Sequence, residues 1–250
     1  MYHWHKFLDV WKFLTAEILI IGDEATREQI SIKLKSCALS SKDQVKNLGV
    51  IFDSNLNFKA HISNVTKISF YHLRNIVRVR GFLSQTDTER IMHAFITSRI
   101  DYCNALLSGV SKTEVARLQL VENAAARVLT KTKRRAHITP ILKSLHWLPV
   151  TLRIDFKVIL LVFKSLNRNA PAYLSAMLSW YEPSRPLRSS NLGLLNVPEV
   201  ETRRQGEAAF SFYGPTLWNS LPVNLRLSVS DSIDNFKRNL KTHLFSIAFN

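Results

Sequence analysis

Apolar positions along this chain change their period once, near Phe58. Before it, two short apolar runs stand between turn residues. Glu17-Ile18-Leu19-Ile20-Ile21 stops at Gly22, and Leu48-Gly49-Val50-Ile51-Phe52 stops at Asp53-Ser54-Asn55. Short runs bounded in this way predict strands. Ile30, Ile32 and Leu34 mark a short helix or strand between them. A small antiparallel sheet is the economical reading.

After Phe58 the pattern becomes helical. Ile62, Val65, Ser69, Leu73 and Ile76 share one face of a helix that Gly81 should end, and Lys67, Tyr71, Arg74 and Arg78 share the opposite face. A second helix starts at Ser84, whose hydroxyl can cap it with Asp87 in the first turn, and should bury Ile91, Phe95 and Ile96. The third opens on the capping box Ser111-Lys112-Thr113-Glu114 and continues through Val115, Leu118, Val121, Ala125 and Val128. Three amphipathic helices in succession predict a bundle.

Beyond the corner Leu145-His146-Trp147-Leu148-Pro149, Thr151 can cap a helix whose centre, VILLVF, is apolar all round and should be buried. Pro171 suits the first turn of a shorter helix. Residues 182–206 read as irregular, with Pro183, Pro186, Gly193 and Pro198, and a last helix runs from about Asp231 with Phe236, Leu240 and Leu244 four apart. The expected architecture is mainly α: a helical bundle with a small antiparallel β remnant near the N-terminus. The expected segments are 1–57 with the short sheet, 58–140 with the bundle, and 141–250 as a helical extension.

Charge changes this picture. Lys and Arg number 34 against 19 Asp and Glu, a net +15 with a pI near 10.1. A balance so basic points to a nucleic acid or an anionic membrane surface as partner. The excess is uneven: between Lys131 and Trp180 nine cations face one acid, Asp155. Lys131, Lys133, Arg134 and Arg135 follow directly on an alanine-rich helical end, which suits a phosphate backbone. The Lys67, Tyr71, Arg74, Arg78 stripe interleaves an aromatic with cations, a pattern suited to a backbone groove with occasional base stacking. The basic run also fits a nuclear import signal, or a partner surface rich in acids.

Other chemistry is scarce. Two cysteines, Cys37 and Cys103, cannot make a disulfide framework and imply a reducing, intracellular setting, nucleus or cytoplasm. The longest apolar run, Val158 to Phe163, is too short to span a bilayer. Asp53 and Asp101 stand alone and read as cap or turn residues rather than catalytic pairs. His3 and His5 lack partners at metal-ligand spacing, and no His is followed two residues later by Asp or Glu, so neither a metal nor another cofactor is expected. There is no Gly-x-Ser-x-Gly and no phosphate loop. Leu106 and Leu107 suggest that Cys103 is a packed thiol. No catalytic residue is expected.

A series of ordered blocks carries a resemblance. KNLGVIFDSNLNFKAHI, ITSRIDYCNALLSGV, LQLVENAAARVLT, HITPILKSLHWLPVTLRIDFK, APAYLSAML, PTLWNSLP and FKRNLKTHLF resemble, in this order, the C-terminal part of reverse transcriptases from LINE-type non-LTR retrotransposons. The resemblance implies that the N-terminal strands are the rear of the palm and that the helices from Phe58 to about Lys133 are the thumb that grips a template–primer duplex. The polymerase metals of that family are held by a palm aspartate and a Tyr-x-Asp-Asp hairpin, and this chain has no Tyr-x-Asp-Asp. Thr15-Ala16-Glu17 stands where related sequences read Lys-Thr-Glu, which suggests a decayed or partial copy. The implied partner is RNA, DNA or their hybrid, with Lys67, Arg74, Arg78, Lys131, Lys133, Arg134 and Arg135 as phosphate contacts and Tyr71 as a stacking residue. The patch from Leu48 to Ile76 also resembles a short module ahead of the RNA-binding and dioxygenase parts of an AlkB-type tRNA-modifying protein. A helical protein-interaction domain is the remaining alternative.

Overall fold

A computed structural model describes residues 18–21, 41–183, 192–200, 206–228 and 232–250, and the strand backbone at 32–34 and 37–39. The protein is mainly helical, with a small antiparallel β region near the N-terminus. The chain divides into two units, Met1–His61 and Ile62–Asn250.

In the first unit β1 (Ile32–Leu34) pairs antiparallel with β2 (Cys37–Leu39), and β3 (Gln44–Asn47) with β4 (Val50–Asp53). The expected strand at 17–21 is reduced to one parallel bridge between Ile18 and Ser41, and Glu17 lies outside the described residues. Leu48 is not a strand residue. Leu48 and Gly49 form the β3–β4 turn with φ of 46° and 85°, the two positive values that match a tight turn to the twist of its strands. Asp53 behaves as the sequence suggests. Its buried carboxylate accepts from the backbone N–H of Asn55, Asn57 and Phe58 at 3.2, 3.0 and 2.7 Å, closing the turn that leads into helix α1 (Lys59–Val79).

Along α1, Ile62, Ser69, Leu73 and Ile76 are buried, the face that the period marks. The helix stops at Val79 in a 3-10 turn, and Gly81 does not take a left-handed conformation. Ser84 Oγ accepts from Asp87 N at 3.1 Å and opens α2 (Gln85–Met92). A π turn at His93–Thr97 then leads into α3 (Ser98–Asp101). Thr88, Met92, Ile96 and Ile100 are all buried at a spacing of four. A regular helix drifts about 40° per four residues, and the extra residue of a π turn takes most of that drift back. The expected burial of Phe95 fails for this reason: it is exposed and stacks on His72 at 5.1 Å.

Ser111 Oγ accepts from Glu114 N at 3.4 Å at the start of α4 (Lys112–Thr130), while the Glu114 carboxylate turns to Arg117 at 2.7 Å. Helix α5 (Ile138–Leu145) ends on His146 with φ of 55°, where Trp147 N donates to Leu142 O and His146 N to Lys143 O. This left-handed stop turns Trp147 and Leu148 into the interior. Pro149 precedes α6 (Val150–Leu166), and Thr151 does not cap it. The first free N–H, that of Val150, donates instead to Gln119 Oε1 of α4 at 2.8 Å.

The core of the C-terminal half forms around α6. Val158, Ile159, Leu160, Val162 and Phe163 are buried there, as the VILLVF pattern requires. Pro171 stands just ahead of the short α7 (Ala172–Ser175). Helices α8 (Phe210–Ser220), α9 (Val223–Leu227) and α10 (Ile233–Phe249) enclose Trp218, Leu225, Phe236, Leu240 and Leu244 with α6. Phe163 and Phe236 stack at 4.0 Å, and full burial of each large apolar side chain contributes about 1.5–3 kcal/mol. The hydrophobic pattern assigns no helix to 210–220, since Gly214 and Pro215 both oppose one. Both are buried, and a Cβ at Gly214 would lie 3.0 Å from Val162 Cγ2, so the glycine permits close approach of α8 to α6. Among the described residues no helix is long and apolar enough to cross a membrane.

Candidate functional site

Lys67, Tyr71, Arg74 and Arg78 are exposed on α1, within an arc of about 60° at 100° per residue. Phe70 and Val77 adjoin that arc, about 40–60° away on the same helix. The basic run of the sequence lies beyond the helix it follows. Lys131 takes φ of 57° and closes α4, with Thr132 N donating to Arg127 O at 3.1 Å. Ala136 N donates to Lys133 O at 3.0 Å, so the run is a turn. Lys131, Lys133, Arg134 and Arg135 are all exposed on it.

Among the described residues none of these seven cations faces a carboxylate at ion-pair distance. Other cations of the chain do. Arg117 pairs with Glu114 at 2.7 Å and Lys237 with Asp234 at 3.1 Å.

A groove of about 590 Å³ runs between α1 and the end of α4. Phe70, Val77, Leu120, Ala124 and Val128 give it an apolar lining. Arg80, Arg127, Lys131 and Arg134 line it as cations. Arg80 Nη1 donates to Val128 O at 2.7 Å and ties the two helix ends together. Arg127 Nη2 donates to Ala136 O at 3.3 Å and holds the basic turn against its own helix. The structure therefore brings Lys131 and Arg134 to the helix that carries the α1 stripe. Lys133 and Arg135 do not line the groove. Arg80 and Arg127 have no signature in the sequence, because each looks like one more cation on a helix.

A partly buried ionic network joins α3, α4 and α6. Arg153 of α6 donates through Nε to Asp101 Oδ1 at 2.8 Å and through Nη2 to Asp101 Oδ2, while its Nη1 reaches Glu122 Oε1 at 3.2 Å. Gln119 Nε2 donates to Glu122 Oε2 at 2.8 Å. Burial pushes the Glu122 carboxyl up to about 7 against the pull of Arg153. For Arg153 burial opposes the charge most strongly, but Asp101 and Glu122 together outweigh it and hold the guanidinium above its ordinary range. Asp101 is thus an ion-pair partner and not the turn residue that its isolation in the sequence suggests. Arg153 also leaves the basic surface to which its place in the chain assigns it. Lys143 Nζ similarly donates to Phe249 O at 3.3 Å, near the end of α10.

One further acid is tied down inside the chain, and one thiol differs from expectation. Asp155 accepts from Tyr213 Oη at 2.7 Å, joining α6 to α8, and burial raises its carboxyl despite that bond. Cys103 is exposed in a left-handed conformation, not packed, because the π turn and the break after Asp101 rotate it outward. Among the described residues no three His, Cys, Asp or Glu side chains gather as metal ligands, and His3 and His5 lie outside those residues. No protein-family model, no curated protein and no solved structure matches the chain.

Proposed function

We propose that this chain is the C-terminal, catalytically incomplete part of a LINE-type reverse transcriptase and that it holds the sugar–phosphate backbone of RNA, DNA or their hybrid. Support for the origin is the ordered series of sequence blocks. The observation that carries the binding role is a set of exposed cations without carboxylate partners on two segments about 60 residues apart, two of which, Lys131 and Arg134, share a groove with α1. An exposed cation already paired with a carboxylate has little to offer a phosphate. An unpaired one releases counterions from the nucleic acid when it binds.

In this reading Lys67, Arg74 and Arg78 contact phosphates along α1, and Lys131, Lys133, Arg134 and Arg135 contact them from the turn after α4. Tyr71, 57% exposed between Lys67 and Arg74, is free to stack on an unpaired base. The contacts named go to phosphates and to a ring face, which makes the proposed binding sequence-tolerant. The Arg153 network keeps α4 and α6 in register, which fixes where the basic turn stands. Filter binding of a labelled oligonucleotide tests the proposal, with affinity falling steeply from about 50 to 200 mM salt. Absence of binding at the lower salt would remove it. An in-frame Tyr-x-Asp-Asp in the genomic sequence ahead of Met1 would test the origin separately.

A further inference from the structure

We infer that the α1–α4 groove receives an amphipathic helical segment of a partner protein, apolar along most of its contact face and acidic at one end. The inference is independent of the nucleic-acid reading, although it uses two of the same cations. It rests on the polarity of the groove. Phe70 comes from the middle and Val77 from the last turn of α1, and Leu120 and Ala124 from the middle of α4. Arg80, Arg127, Lys131 and Arg134 come from the C-terminal ends of the same helices, which the Arg80–Val128 bond holds together. The apolar lining therefore runs the length of the groove through Val77 and Val128, while the cations gather at one end, and among the described residues no acid lines it.

Val77 is 51% and Leu120 61% exposed, large apolar surface left in water beside the cations. Arg127 Nε is buried with no hydrogen-bond acceptor, which leaves that guanidinium one partner short beside the groove. A polyanion with evenly spaced charge satisfies only the cationic end and leaves Val77 and Leu120 wet. A neutral apolar helix covers those two and leaves the arginines unmatched. An amphipathic helix with carboxylates at one end satisfies both. The lined stretch of α1 from Phe70 to Arg80 is about 15 Å long, which accommodates about three helical turns with anchors at i, i+3 or i+4, and i+7.

The test uses the full chain and a fluorescent synthetic helix of about 15 residues, with leucines at i, i+4 and i+7 and glutamates confined to one end. A peptide of the same composition with its order scrambled and an oligonucleotide serve as comparisons. The ordered peptide should bind more tightly than the scrambled one. Leu120→Ser and Val77→Ser, both at exposed sites and each checked for an intact fold by circular dichroism, should each weaken it about tenfold while sparing the oligonucleotide. Arg134→Gln should weaken both ligands. Equal binding of the two peptides, or no effect of Leu120→Ser on the ordered one, would overturn the inference. So would an oligonucleotide that loses about tenfold on Leu120→Ser while the peptide does not, since the groove would then belong to nucleic acid. If the peptide binds as stated and no oligonucleotide does, the inference stands and the nucleic-acid reading fails.

Discussion

Arg153 and Arg134 are the same residue type within one basic stretch of sequence, and the fold puts them to opposite uses. Arg153 is largely withdrawn from water between Asp101 and Glu122 and spends its donors on its own chain. Arg134 is exposed on a turn, lines a groove and has no acid opposite among the described residues. A charged side chain removed from water must be matched internally, whereas one left in water keeps its capacity for a ligand. The functional meaning of the net charge of +15 therefore depends on which cations the interior consumes.

The largest difference between the two regions should appear in stability. Arg153→Met leaves two carboxylates in place without their cation and should cost about 3–5 kcal/mol in urea unfolding. Arg134→Gln should stay within about 0.5 kcal/mol. The opposite order would break the comparison. Affinity should show the reverse ranking. Replacing Lys131, Lys133, Arg134 and Arg135 together by Gln should lower the slope of log affinity against log salt by about 3, since each lost phosphate contact removes about 0.7–0.9. An unchanged slope would mean that the turn does not meet the backbone.

Acidity sharpens the same contrast, because only the buried network should respond. Burial raises the Glu122 carboxyl in the folded protein to about 7 from an ordinary 4.5. Between those two values the folded state binds more protons than the unfolded state. The associated stability is complete below about 4.5 and is lost as pH rises through about 7. The protein should thus lose on the order of 1–3 kcal/mol from this group between pH 5 and pH 8. Glu122→Gln should flatten the profile, and an equally steep one would place the titrating group elsewhere. The smallest effect is expected at Tyr71. Tyr71→Ala should weaken single-strand binding by about 1 kcal/mol and Tyr71→Phe should not, since the ring face rather than the hydroxyl stacks. Equal losses in both variants would exclude stacking.

Much of this was legible in the sequence. The burying face of α1, the serine caps at Ser84 and Ser111, the buried centre of α6 and the Phe236, Leu240, Leu244 face of α10 all follow from neighbours within a few positions. The exposure of the seven candidate cations and of Tyr71 was equally legible, since each lies opposite an apolar face or beyond a helix end. The features that escaped are those whose cause lies far along the chain. The helix at 210–220 contains a glycine and a proline that local propensity counts against it, and it stands because Val162 and the Phe163–Phe236 stack receive it. The start of α6 is satisfied by Gln119, 31 positions away, and not by the adjacent threonine. Phe95 and Cys103 turned outward because a π turn shifts the register, which no single residue type announces.

The sequence by itself thus determined that the chain is helical and basic, which faces of its main helices are apolar, and where its cations concentrate. Periodicity and capping act over one or two turns, and the order of residues states them directly. Only the tertiary structure decided that Asp101, 52 positions from Arg153, removes that cation from the surface, and that Lys131 and Arg134 come to lie across a groove from Phe70 and Val77. Pairing and desolvation depend on which side chains meet when helices pack, and spacing along the chain does not encode that meeting.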